Sequence, residues 1–518
     1  MQPVTSIEQA VQSLVGKLIA SDSEASQQDS LAYYTDDAVL ALVADFFQTG
    51  KGSDSGVEMS PEEGRLSEKD RFEDCLLWLD YLLSRIDDLI IGQVNAIIHH
   101  PVFQRLESSW RNLESLVDCA SGRNNVKIRF LDITWAEITK DVNRAMEFDQ
   151  SQLFHKVYSE EYDTPGGEPY GVLIADYEIS HRPGPKHRYD DVPTLKCLSE
   201  IAGAAFSPIL INASPELFGL DGAFDYLTHA FSLESVFREQ EYAEWQTLRN
   251  HPDARFMGIT LPRVLLRKPY TVRLDDFGGL IYDERRGLSD SSKYLWGGAN
   301  MAVAKVLIRE FSDIGWFSHI RGAPRDQLSG GIVNELVVDY FRVGPDETDF
   351  KPGTDVVITD ERERELADQG FIAACQCYDL PLLAFHSMPS IFRNREFTSS
   401  RVNADERVAS SLQYLLCGSR FAHYIKIMMR DKIGSYTRAS DCASMLQKWL
   451  NGYTVMQEDA DWYLQSRYPL RKALVEVFDN PEKPGEYWAE ILLQPHYQAD
   501  SLRSDLHLTT ELTGARRG

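Results

Sequence analysis

No run of about 18 consecutive apolar residues, the length a membrane-spanning helix needs, occurs in the 518-residue chain. The opening MQPVTSIEQ lacks the charged and apolar blocks of a secretory signal. Cysteine is sparse: the seven thiols are scattered, odd in number and mostly set in apolar runs. A disulfide framework is excluded, and a reducing cytoplasm is expected. Positive charge is also short, with 53 Lys and Arg against 79 Asp and Glu and a net charge of −26. General binding to nucleic acid or to an anionic membrane needs a basic surface, so neither is expected.

Catalytic and cofactor signatures are missing too. There is no G-x-x-x-x-G-K-[ST], and no G-x-G-x-x-G opens a helix after a strand. PGGEPYG precedes a strand-like run instead of following one, the wrong order for a phosphate cradle. G-x-S-x-G and H-E-x-x-H are absent. His99-His100 has no acid or Cys at ligand spacing, and Cys375-Gln376-Cys377 has no second Cys pair to complete a tetrahedral site. Phe371, Ala373, Cys375 and Cys377 alternate like the buried face of a strand. No cofactor, metal or catalytic residue is expected. An unrecognised thiol or carboxylate site, for example Cys375 with His386, stays open as the less favoured alternative.

What is present is organised around Val402–Gly434. Phe421, Tyr424, Ile425, Met428 and Met429 share an apolar helical face, and Arg420, His423, Lys426 and Arg430 share the opposite one. Between 401 and 438 seven bases stand against three acids, so this helix is basic in an acidic chain and is a candidate contact for a partner. Ser440 or Asp441 can cap a second helix carrying Cys442, Met445, Leu446, Trp449 and Leu450. The period then changes to two. Ala473–Phe478 and Glu486–Leu493 flank the turn DNPEKPG as a hairpin, and Leu502, Leu506 and Leu508 alternate in a trailing strand. A hairpin at a chain end has free edges, which pair with something.

The length predicts two to four domains. Residues 1–67 read as an acidic arm, in which Ile7, Val11, Leu14, Val15, Leu18 and Ile19 form one face of a short helix. That helix either packs on its own domain or docks elsewhere. Residues 68–395 alternate helical and strand-like segments and read as mixed α/β. Pro101 breaks the first long helical stretch after His99-His100, and strands are expected at Val126–Ile133 and Tyr170–Ile179. Ser292–Phe311 is a further helix, with Gly297, Gly298, Ala299, Ala302 and Ala304 giving a small-residue surface. Residues 396–518 form the C-terminal core just described.

SRFAHYIKIMMRDKIGS, preceded by VNADERVASSLQYLL, closely resembles the large contractile-sheath subunit of bacterial type VI secretion systems, the TssC/VipB/ImpC/EvpB family. HHPVFQRLESSWRNL, VYSEEYDTPGGEPYGVLIADYE, ASPELFGLD, ARFMGITLPRVLLRKPY, SKYLWGGANMAVA and ITDERERELADQGFI agree as well, in the family's order, over roughly residues 68–510. Asn112-Leu113-Glu114 and the FKPGTD before Ile358 depart from its pattern. The resemblance implies a non-catalytic, multi-domain tail-sheath-like fold that pairs with a small sheath subunit (TssB or VipA). Copies of that pair are expected to polymerise into a helical sheath around a tube of Hcp, dock on a baseplate, contract, and be taken apart by the ATPase ClpV. It further implies that the basic helix faces the tube, that the terminal strand is exchanged between subunits, and that the 7–19 helix docks the ATPase. A non-polymerising paralogous adaptor is the alternative within the same system.

Overall fold

In a computed structural model the chain forms two compact units, Met1–Ile86 and Asp87–Gly518. The structure describes residues 61–512, apart from 186, 230, 272–281, 288–290, 323–327, 345–347, 395–405, 432–438, 456–461, 480–486 and 497–505. The face expected at Ile7, Val11, Leu14, Val15, Leu18 and Ile19 lies outside the described residues, as does Leu502. Of the first unit only the start of helix α1 (Pro61–Ile98) is described, and the boundary expected at 67/68 falls inside that helix.

Helix α2 (Pro101–Ala120) begins where the sequence places a break. Pro101 drives His100 to an extended φ of −69° and ψ of 127°, and the His100 ring accepts a hydrogen bond from the Val102 N–H as the N-cap. Helix α3 (Trp135–Arg144) starts on a capping box made by Thr134 and Glu137.

The central sheet is built from β1 (Leu173–Ile179), β2 (Ile209–Ala213) and β3 (Met257–Leu261), joined by β4 (Phe371–Ala373), in the order β1-β2-β3-β4. All three pairings are parallel. Parallel strands need crossovers, and helices therefore cover both faces. Successive side chains go to opposite faces, so Ile209, Ile211, Ile259, Phe371 and Ala373 pack with Leu195 and Leu198 of α4 (Asp191–Ala204). Leu210 and Ile372 pack on the other face with Val303, Val306 and Leu307 of α5 (Ala299–Ile314).

A polar pin fixes α5 to the sheet. Asn212 Oδ1 accepts from Thr260 Oγ1 at 2.8 Å and from the Asn300 N–H at 3.2 Å, while Asn300 Nδ2 donates to Ala175 O at 2.7 Å. A Cβ at Gly298 would lie 2.1 Å from Asn212 Nδ2, so the pin requires that glycine. The strand expected at Phe371–Tyr378 divides in two. β4 joins the parallel sheet, whereas Cys375–Gln376 pairs antiparallel with Leu383–Ala384 in another sheet.

The C-terminal core holds helices α6 (Leu412–Asp431) and α7 (Ala439–Asn451) and an antiparallel meander in the order β5-β6-β7. Its strands are β5 (Leu470–Asp479), β6 (Tyr487–Pro495) and β7 (Leu506–Leu512). Trp316, Phe421, Ile425, Cys442, Leu446, Leu450, Val475 and Ile491 share its interior. Of the expected terminal strand, residues 506–508 are described and lie in β7, which continues to Leu512, with Leu506 opposite Leu493 and Leu508 opposite Ile491 in the ladder with β6.

Candidate partner-binding surfaces

The basic face of α6 is turned inward. His423 is buried; its Nε2–H donates to Ala205 O at 2.9 Å and its Nδ1 lies 3.4 Å from an Arg420 nitrogen. Burial, reinforced by the Arg420 charge, pushes its pKa down to about 3, so the ring is neutral. Lys426 Nζ pairs with Asp163 Oδ1 at 3.1 Å, donates to Tyr158 OH at 3.3 Å and lies 3.9 Å from the Tyr162 ring centroid. Arg430 donates to Thr164 O at 2.7 Å, and the Arg420 guanidinium sits over the Phe311 and Tyr424 rings. These groups clamp the helical segment His155–Asp163 onto α6. The expectation of one outward face made by Arg420, His423, Lys426 and Arg430 is therefore corrected for His423: a buried ring bonded to a backbone carbonyl cannot touch another molecule. Lys426 and Arg430 already have partners within the chain.

Of the described thiols, those of Cys197, Cys375, Cys417 and Cys442 are buried and those of Cys119 and Cys377 half-buried. Phe371, Ala373 and Cys375 share one core, and burial pushes the Cys375 thiol up to about 12. A thiol held neutral is a poor nucleophile. Exposed His386 makes no hydrogen bond to it. Among the described residues no group of three or more His, Cys, Asp and Glu is placed to hold a metal.

The sheet of the C-terminal core has two unlike edges. Along β5, Gln447 of α7 takes the place of a neighbouring strand: its Oε1 accepts from the Val475 N–H at 3.0 Å and its Nε2 donates to Ala473 O at 2.9 Å. The outer edge of β7 has no strand beside it among the described residues.

Helix α2 carries the feature that sequence reading missed. Its buried positions are Ser108, Asn112 and Leu116, one face at i, i+4 and i+8. Val102, Phe103, Leu106, Trp110 and Val117 are exposed, Trp110 by 60% and Leu106 by 56%. They fall within a roughly 100° arc of the helix. The helix is held by polar contacts instead. Ser109 Oγ donates to Asp176 at 2.6 Å, Gln104 to Ser292 O at 3.3 Å, and Arg267 links Glu107 at 2.9 Å with buried Glu284 at 2.7 Å. His99 bonds the same Glu284 at 3.0 Å. Exposed Phe130 continues the open surface, its ring centroid 6.4 Å from that of Trp110. Contiguous apolar surface of this kind marks an interaction site. Periodicity alone could not find it, because an apolar stripe for the chain's own core and one for a partner have the same spacing.

Two family descriptions match the sequence: "EvpB/VC_A0108, tail sheath N-terminal domain" over residues 80–392 and "EvpB/VC_A0108, tail sheath gpW/gp25-like domain" over residues 401–512. The type VI secretion system sheath protein TssC1 of Pseudomonas aeruginosa is 34% identical over 450 residues, which cover 86% of this chain and 87% of that protein. Among solved structures, a chain of the anti-feeding prophage baseplate overlaps 76% of this chain and 80% of its own, at 10% identity and a TM-score of 0.32. A likeness that weak carries no argument.

Proposed function

The chain belongs to the EvpB tail-sheath family and is a structural subunit of a type VI secretion contractile sheath, and on that premise we propose that it is the larger half of a two-chain protomer. The inverted helix α2 carries this reading. A helix that buries Ser108 and Asn112 while exposing Phe103, Leu106 and Trp110 is completed by another chain. The small sheath subunit (TssB- or VipA-like) covers that arc. Copies of the pair then stack in the cytoplasm around an Hcp tube, on a baseplate, and contract to drive effector delivery.

The β7 edge is the second element of the proposal. Backbone pairing tolerates rotation better than interlocked side chains do, so a strand exchanged there keeps subunits linked as the lattice shortens. Gln447 leaves β7 as the side to which a strand adds. Arg420, Lys426 and Arg430, all half-buried, are the remaining candidates for a tube contact, and the 7–19 segment for docking of a ClpV-type disassembly ATPase.

The test is co-purification with the small sheath subunit of the same system, followed by negative-stain imaging. Tubes are expected. A soluble heterodimer that never polymerises makes the chain an adaptor, and an unassociated monomer defeats the proposal. Truncation after Gln498, which removes β7, leaves the heterodimer and abolishes tubes.

A further inference from the structure

Next to the α2 arc lies a backbone edge that no other described segment uses. Residues 126–133, VKIRFLDI, run on without helix, turn or bend. The side chains of Lys127 and Arg129, two residues apart, both reach Glu168, and Arg129 also reaches Glu161, which is the period of a strand. The segment is anchored at its end, where Tyr177 OH donates to Ile133 O. The sequence pattern predicts a strand here. Yet among the described residues none of the backbone N–H or C=O groups from Val126 to Asp132 has a backbone partner. Ile128, Phe130 and Leu131 are exposed beside those open groups, and Phe130 adjoins Trp110.

We propose that Val126–Ile133 is an acceptor edge for strand addition, completed by an extended segment of a second polypeptide that differs from this chain. The proposal rests on the reading that the α2 arc is covered by a partner subunit, and it specifies how that partner binds. Covering Ile128, Phe130 and Trp110 removes water from the neighbouring backbone groups, and a donor or acceptor left unpaired on desolvation is costly. An apolar side-chain surface cannot satisfy those groups, and neither can lipid. An extended strand can, by the same ladder that joins β2 to β3.

Charge indicates which kind of strand. Glu114 and Asp118 are exposed on α2 at the flank of the apolar arc and carry no ion pair among the described residues. A second copy of this chain, at net −26, would set acid against acid. A less acidic chain with alternating apolar residues and a neighbouring Lys or Arg fits both the edge and the flank.

Hydrogen–deuterium exchange on the full chain, alone and bound to the small sheath subunit of its system, tests this. Alternate amides between Lys127 and Asp132 are expected to slow by about 100-fold or more on binding. If the complex forms and these amides exchange as before, strand addition is overturned while subunit pairing stands. If no complex forms, the pairing reading falls and this proposal falls with it. A proline scan gives an independent readout. Lys127→Pro, Ile128→Pro, Arg129→Pro and Phe130→Pro, each checked for an unchanged melting temperature of the free chain, are expected to weaken pairing in a period of two. Alternate positions lose about tenfold or more, because only every second N–H faces the partner. Each proline is compared with alanine at the same position, which removes the alternating side chain and keeps the N–H; an excess loss by proline that is equal at all four positions, or absent, overturns the ladder.

Discussion

Helices α2 and α6 are both 20 residues long and both amphipathic, and the fold uses them in opposite ways. α6 lies between two cores: Leu412 and Leu416 pack beneath the parallel sheet, while Tyr414, Phe421, Ile425 and Met429 pack under the C-terminal meander. Even its cations are tied to the chain through Asp163, Thr164 and aromatic rings. α2 is pinned by Ser109, Gln104 and Glu107 and, though it buries Leu116, leaves Val102, Phe103, Leu106, Trp110 and Val117 exposed. The difference teaches that charge and hydrophobicity identify the faces of a helix but do not say which face a fold will bury. In this protein the basic face of α6 turned to partners within the chain and an apolar face of α2 became surface.

The comparison breaks most visibly if the two helices respond alike to large-to-small substitution. Phe421 has no exposed surface and stacks on Trp316 at 4.3 Å between ring centroids. Phe421→Ala is expected to destabilise the chain by about 3–5 kcal/mol in chemical unfolding.

The buried imidazole gives the next largest effect. With its folded pKa depressed from 6.5 to about 3, His423 binds a proton more readily in the unfolded chain. Its contribution is complete above pH 6.5 and is lost as pH falls toward 3, a change of a few kcal/mol. Asp355 and Glu310, raised by burial to about 7, titrate with the opposite sign. The check is therefore a difference measurement: between pH 7 and 4, His423→Gln should lose less stability than the parent. Parallel pH profiles would mean that the ring is already hydrated.

Trp110→Ala on α2 should leave the unfolding of the free chain within about 0.5 kcal/mol, yet cost about 2 kcal/mol or more in binding the small subunit by calorimetry. A large loss of intrinsic stability would place the arc in the chain's own core. Lys426→Met removes the ion pair to Asp163 and the contact with Tyr162, at a cost of about 1–2 kcal/mol in thermal unfolding. Smallest is Gln447→Ala, about 1 kcal/mol, with faster amide exchange at Val475 as its specific signature.

Much of the architecture was legible because it rests on local chemistry. Pro101 disfavours helical geometry at His100, so the break between α1 and α2 is in the sequence. The small residues of WGGAN announced a close approach, although its partner, Asn212, did not appear until the sheet was assembled. The split at Ala374 was invisible, because alternation continues unchanged through Phe371, Ala373 and Cys375 while the strands pair with different neighbours. The positions of Arg420, His423, Lys426 and Arg430 on one face were readable, but the burial of His423 and the intrachain partners of the three cations were not.

The sequence by itself determined where helices and extended runs begin, the family and the lack of recognisable catalytic motifs, since caps, periods and ordered motifs are written in neighbouring residues. Tertiary structure decided which side of each element meets the core. Burial is settled by what competes for a face across hundreds of residues: the 155–164 segment won the cations of α6, Gln447 closed one sheet edge, and among the described residues Trp110 stays exposed and the backbone of Val126–Asp132 has no backbone partner.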